Sequence, residues 1–158
     1  MTIETALEWI HSRLKFNIRP GLTRIEALLK LLGNPEKELS MLHVAGTNGK
    51  GSTVAFTRGI LEQLDLTVAT FTSPFIATFG ERMAINGHPI PDDKLIMYVE
   101  QLKPFVEEMD KDESLAGITE FEIITALAFR YFADEHVDVA LIEVGLGGLL
   151  DSTNVIQP

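Results

Sequence analysis

His43-Val44-Ala45-Gly46-Thr47-Asn48-Gly49-Lys50-Gly51-Ser52 reads as a strand running into an anion-binding turn, and it decides the fold of this chain. The run from Met41 to Ala45 suits a buried strand. Gly46, Gly49 and Gly51 let the backbone turn tightly and bring its N–H groups close to an anion. Lys50 adds a mobile positive charge. The helix-competent segment from Ser52 to Leu64 aims its N-terminal dipole at the same point. A nucleoside triphosphate needs that combination, and Thr47, Asn48, Gly49, Lys50, Gly51 and Ser52 are the candidate contacts.

The loop departs from the common phosphate-loop pattern, which puts its first glycine five residues before the second. That position is Val44 here, and Gly46 stands only three residues before Gly49. The pattern also wants Ser or Thr directly after the lysine, where this chain has Gly51. The plain alternative is a glycine turn with an incidental lysine.

Around this stretch the chain alternates between helical and strand periods. Ala6, Leu7, Ile10 and Leu14 predict a helix over 3–14. Ile25, Leu28, Leu29 and Leu32 predict a second, stopped by Gly33-Asn34-Pro35. Phe16 to Gly21 reads as a loop. Thr67 to Phe71 is β-branched and aromatic, hence a strand. With the glycine loop and its helix it forms a βαβ unit, for which a parallel sheet is expected. Asn86-Gly87 is a hairpin signal within Met83 to His88. Helices are expected at 92–109 and 120–134, and a third strand at 137–144. No repeat, low-complexity segment or domain linker interrupts the 158 residues. The fold class is therefore α/β, a P-loop-type parallel sheet flanked by helices. Asn154-Val155-Ile156-Gln157-Pro158 reads as the entry to further structure, so the sheet is expected to be incomplete at its C-terminal side.

Composition sets bounds. At 46% hydrophobic content the chain can bury one sizeable core. No stretch approaches the roughly 20 apolar residues of a membrane span. Met1-Thr2-Ile3-Glu4-Thr5 lacks a basic leader region, so secretion is not expected. With no cysteine there is neither a disulfide nor a thiolate metal site, and a cytoplasmic location fits. The net charge of −10 argues against nucleic acid or an anionic membrane as partner. A polyanionic ligand then requires local positive ground, from Lys50, Arg82 and the candidates Lys15, Arg19 and Arg24.

Some further residues bear chemistry. Glu143 ends an apolar strand, and ligands in open α/β sheets sit beyond the carboxyl ends of the strands. Mg²⁺ beside phosphates needs one or two hard carboxylate oxygens, so Glu143 is a candidate ligand, the alternative being a solvated side chain. Ser73 ends the second strand, and Pro74 biases it towards an extended conformation. Read alone, Ser73-Pro74 is an ordinary turn. Thr119-Glu120-Phe121-Glu122 is a capping box. Gly145 to Gly148 is a flexible turn followed by the acid Asp151. His11, His43, His88 and His136 show no paired metal spacing and read as structural.

The variant loop resembles the ATP loop of the folylpolyglutamate synthase and dihydrofolate synthase family, within the wider Mur ligases. Thr72-Ser73-Pro74-Phe75, Glu81-Arg82-Met83, Thr119 to Glu122, Glu143 to Gly148 and Asp151 to Asn154 are similar to that family's blocks, in the same order. The resemblance implies ATP-dependent addition of L-glutamate to a folate or dihydropteroate carboxylate through an acyl phosphate. It implies Lys50 on the phosphates and Ser73 with Glu143 on Mg²⁺. Thr119, Phe121, Asp151 and Ser152 would line the pterin pocket, and Arg82 would meet the glutamate tail, or else be a solvated surface arginine. Leu149 departs from the pattern, where an arginine is common. The family's enzymes are longer, so residues 1–158 are expected to be a partial ATP-binding domain, inactive in ligation alone. An apolar surface around Val137 to Val144 is expected to favour self-association. The alternatives are another Mur-type amide ligase, or a nucleotide-binding piece without catalysis.

Overall fold

The computed structural model of the chain describes residues 1–16, 20–145 and 151–156. Among the described residues, five α-helices and five strands follow in the order α1 (Ile3–Ser12), α2 (Thr23–Leu31), β1 (Met41–Val44), α3 (Lys50–Glu62), β2 (Val68–Phe71), β3 (Met83–Ile85), β4 (His88–Pro89), α4 (Asp92–Met109), α5 (Glu120–Asp134) and β5 (Val139–Glu143). Each long element lies where the hydrophobic period places it. The ends differ for local reasons. α1 stops at Ser12 and passes into a 3-10 turn at Arg13–Lys15. α3 begins at Lys50, two residues before the expected start, because left-handed Gly49 (φ +77°) is already its cap. β5 is shorter than expected, since the Asp138 carboxylate instead accepts the Thr67 amide at 2.7 Å, tying the entries of two strands together.

The sheet is mixed and not wholly parallel, with the order β1-β5-β2-β3-β4. β1, β5 and β2 run parallel, and β3 and β4 add to the edge of β2 antiparallel. Asn86 (φ +48°) and Gly87 (φ +78°) form a two-residue link, and a link that short joins only antiparallel neighbours. β5 slots between β1 and β2 instead of extending the sheet. Its Val139-Ala140-Leu141-Ile142 run is apolar on both faces, as a central strand with helices on either side requires.

Alternate side chains divide the core. Ala140 and Ile142 of β5, with Ala69 and Phe71 of β2, face a large cluster supplied by α1, α2, α4 and α5. Leu141 and Val68 point the other way, against Val54 of α3. This central position overturns the expected apolar surface at Val137–Val144, where Ala140, Leu141 and Ile142 are fully buried. Exposed apolar side chains include Phe56 and Ile60 of α3, Leu64 just beyond it, Ile76 and Leu42 of the edge strand β1. Among the described residues, no helix is long and apolar enough to cross a membrane.

Candidate functional site

The insertion of β5 builds the site. Its last residue, Glu143, pairs in register with Val44, two residues before Gly46, and the Val144 amide donates to the Val44 carbonyl at 3.0 Å. On the other side Ile142 pairs with Phe71, so Ser73 emerges beside the same carboxylate. The Ser73 amide donates to Glu143 Oε2 at 3.4 Å. Glu143 is buried, not the solvated strand-end residue of the alternative reading. The glycine loop, Ser73 and Glu143 thus meet at one sheet edge.

Within the loop, Gly46 (φ +150°) and Gly49 (φ +77°) hold backbone angles that residues with a Cβ rarely adopt. Lys50 Nζ donates to the Gly46 carbonyl at 2.9 Å, so its stem already lies across the loop. Thr53 Oγ1 returns to the Gly49 carbonyl at 2.9 Å and ties the helix start down. Thr47, Asn48, Gly49, Gly51 and Ser52 are exposed and Lys50 is half-buried.

Glu143 and Ser73 offer a carboxylate and a hydroxyl, both hard oxygen donors. Among the described residues, no group of three or more His, Asp or Glu side chains is arranged to hold a metal alone. That donor set fits Mg²⁺, which keeps several waters and binds through one or two carboxylates plus phosphates. A softer or fully protein-caged ion does not suit it.

Arg82 is not a solvated arginine. Its Nη2 donates to Ser73 Oγ at 3.2 Å, and its Nη1 to Glu120 Oε1 at 3.5 Å. Glu120 Oε2 in turn meets His11 Nδ1 at 3.0 Å. Burial pushes the guanidinium below its ordinary value, and the Glu120 carboxylate works against this. The loop between Ser73 and Arg82 closes on itself. The Thr72 amide donates to the Arg82 carbonyl at 3.0 Å, and the Glu81 carboxylate accepts the amides of Ile76, Ala77 and Thr78 at 2.9, 3.2 and 3.1 Å.

Those three amides hold the Glu81 carboxyl below its usual value. A depressed folded value means that the carboxylate orders the loop above the ordinary glutamate range and lets go as pH falls through the folded value. The amide proton shifts of Ile76, Ala77 and Thr78 will therefore move together on acidification, with a midpoint below the ordinary glutamate value. In Glu81→Gln the shared midpoint will be absent. Independent shifts, or the same titration in the variant, would remove Glu81 as the loop's organiser.

The second group of expected site residues is engaged in structural bonds. Thr119 caps α5 by accepting the Glu122 amide at 3.3 Å, and Glu122 answers the Thr119 amide at 2.8 Å. Phe121 packs its ring on Phe71, with centroids 5.9 Å apart, and a Cβ at Gly145 would come within 2.5 Å of it. Gly145 is therefore demanded by Phe121 and not by turn flexibility. Asp151 is buried and caps the 3-10 turn Ser152–Val155, accepting the Thr153 amide at 2.9 Å and the Thr153 hydroxyl. That hydroxyl has one proton, so His43 Nε2, 2.7 Å away, is the donor to it. Burial holds His43 below its ordinary value, against the pull of Asp151. The turn packs on α5, which brings Ser152 to the Phe121 side of the sheet. Arg19, Leu146, Gly147, Gly148 and Leu149 lie outside the described residues.

Arg24 does not supply positive ground. It is buried and paired with Glu122, Nη2 to Oε1 at 2.9 Å and Nε to Oε2 at 3.2 Å. Sequence reasoning missed His11 and Glu120 as members of the network that reaches Ser73 through Arg82, because the contacts that link them span 109 and 38 residues. A cavity of about 340 Å³ lies at the entry to β2, lined by Glu62, Asp65, Leu66, Thr67 and Asn86.

The chain is 54% identical over 156 residues to the dihydrofolate synthase/folylpolyglutamate synthase of Bacillus subtilis, a match covering 98% of this chain and 36% of the relative. It is 44% identical to the folylpolyglutamate synthase of Lacticaseibacillus casei, over 100% of this chain and 37% of that one. Its homologues are folylpolyglutamate and dihydrofolate synthases. A solved folylpolyglutamate synthase in complex with AMPPCP and folate superimposes with a TM-score of 0.90 at 45% identity, covering 100% of this chain and 38% of that structure. The fold is thus that of the N-terminal part of these ligases, and the chain spans little more than a third of the relatives' length. No family model matches the chain.

Proposed function

We propose that this chain supplies the nucleotide site and part of the acceptor site of an ATP-dependent ligase that joins L-glutamate to a carboxylate of folate or dihydropteroate. The observation that carries the reading is the meeting of the Gly46–Ser52 loop, Ser73 and Glu143 at the carboxyl ends of three adjacent parallel strands. The homologues' activity and the AMPPCP and folate bound by one of them support it. We take the 158 residues as a partial Mur-ligase-like ATP-binding domain.

In this reading the amides of Thr47, Asn48, Gly49, Gly51 and Ser52 cradle the phosphates of ATP, and Lys50 places its charge over them. Glu143 and Ser73 would hold Mg²⁺, which supplies positive charge against the phosphate oxygens. The acceptor carboxylate oxygen attacks the γ-phosphorus as the bond to ADP breaks, giving an acyl phosphate. The amine of L-glutamate then attacks the acyl carbon, loses its proton and expels phosphate to leave an amide. Phe121 would offer its half-buried ring to the pterin, with Thr119, Asp151 and Ser152 bordering it. The protein's part is to hold three reactants in one geometry, which is worth several kcal/mol of barrier.

The test is the magnesium dependence of nucleotide binding. Glu143→Gln replaces a hard anionic oxygen by a neutral amide, so about tenfold more MgCl₂ will be needed for half-maximal tightening of AMPPCP binding. Superimposable MgCl₂ titrations of the two proteins would sink the assignment.

A further inference from the structure

We propose that Arg82 is a positioning residue that aims the Ser73 hydroxyl at the cation site, an inference that rests on the magnesium reading above and replaces the expected contact with a glutamate tail. Ser73 opens a loop whose residues Pro74 to Thr78 are exposed, so little packing fixes its side-chain rotor. Arg82 stands at the other end of that loop and reaches back to Ser73 Oγ at 3.2 Å. A serine hydroxyl has two lone pairs and one proton. With one lone pair committed to Arg82, the second is left for a metal ion in a defined direction.

The guanidinium is itself held from several sides. Glu120 Oε1 takes Nη1, and Phe79, itself buried, lies with its ring centroid 5.6 Å from the guanidinium carbon. Its Nε–H is buried and finds no acceptor among the described residues. Both terminal nitrogens already serve partners in this chain, which argues against a guanidinium waiting for a substrate carboxylate. Glu120 has a second purpose here. A lone guanidinium beside a divalent cation would repel it, and the adjacent carboxylate offsets that charge. His11 on the other oxygen of Glu120 fixes the orientation of the carboxylate. The line His11–Glu120–Arg82–Ser73 thus ties α1 and α5 to the metal-side hydroxyl.

The experiment compares the 158-residue chain with its Arg82→Gln and Arg82→Lys variants, using AMPPCP titrations in EDTA and across a MgCl₂ series, with melting curves taken without ligand. In Arg82→Gln the affinity in EDTA will stay within about twofold, because the described side-chain contacts of Arg82 are to Ser73, Phe79 and Glu120 and not to the Gly46–Ser52 loop. The MgCl₂ for half-maximal tightening will rise by about tenfold or more, as when the partner of a metal ligand is removed. Arg82→Lys keeps a donor that reaches Ser73 but cannot serve Glu120 as well, so it will recover part of that loss. An unchanged MgCl₂ dependence in Arg82→Gln would overturn the proposal. So would an equal loss with and without metal accompanied by a collapsed melting transition, which is the mark of a purely structural arginine. If the unsubstituted chain shows no magnesium effect at all, the magnesium reading itself fails, and the positioning role with it.

Discussion

Lys50→Ala will lower the affinity for AMPPCP by roughly ten- to a hundredfold, the range of one lost hydrogen bond to a charged group. The melting temperature will move by no more than roughly 2 °C, as for an ordinary surface substitution in a domain of this size. The asymmetry follows from where the side chain sits. Lys50 is the first residue of α3, and its described hydrogen bond is to the Gly46 carbonyl of its own loop. That carbonyl is on an exposed residue, so water can replace the ammonium there. The conformation of the loop is set by Gly46 and Gly49 and by the return of Thr53 to the Gly49 carbonyl, none of which involves the lysine side chain. A triphosphate, in contrast, loses the mobile cation of the loop. Titration of the nucleotide by calorimetry, beside a thermal melt, separates the two effects. An unaltered affinity would remove the loop from the nucleotide site.

What the sequence made legible is what short stretches of chain determine. The glycine loop, the capping box at Thr119 and the Asn86-Gly87 turn each follow from residues a few positions apart. All three form where their local chemistry places them. The apolar character of Val139 to Ile142 was equally legible, but not its consequence, that β5 belongs between β1 and β2. A buried strand and a strand at the open end of a sheet look alike until the helices on both faces are placed. The ion pairs were hidden for a related reason. Glu122 satisfies a local pattern with Thr119, and nothing in that pattern shows that its carboxylate also meets Arg24, 98 residues away. Arg82 was legible as a charged residue near a serine-proline turn. That it turns inward to Ser73 depends on Glu120, which only the packing of α5 against the sheet brings near.

Glu122→Ala will cost the fold about 3–5 kcal/mol, the range for removing one partner of a buried charge pair. Arg24 and Glu122 are 9% and 3% exposed, and the guanidinium grips both carboxylate oxygens. Deleting the carboxylate removes both bonds it makes to a buried guanidinium, and also strips the Thr119 amide of its acceptor at the start of α5. Both losses fall on the contact between α2 and α5, within the cluster that carries most of the core. Against a total stability of roughly 5–15 kcal/mol, such a loss is a large fraction. At roughly 2–4 °C per kcal/mol the melting temperature will fall by about ten degrees. The double substitution Arg24→Met with Glu122→Leu separates charge from packing. It removes both charges of the pair together and fills similar volume, so it will recover much of the loss, although the cap at Thr119 stays broken. A thermal melt of the three proteins decides the matter. A fall worth less than about 1 kcal/mol in Glu122→Ala would mean the pair behaves as an exposed one, and that α2 is not locked to α5 through it.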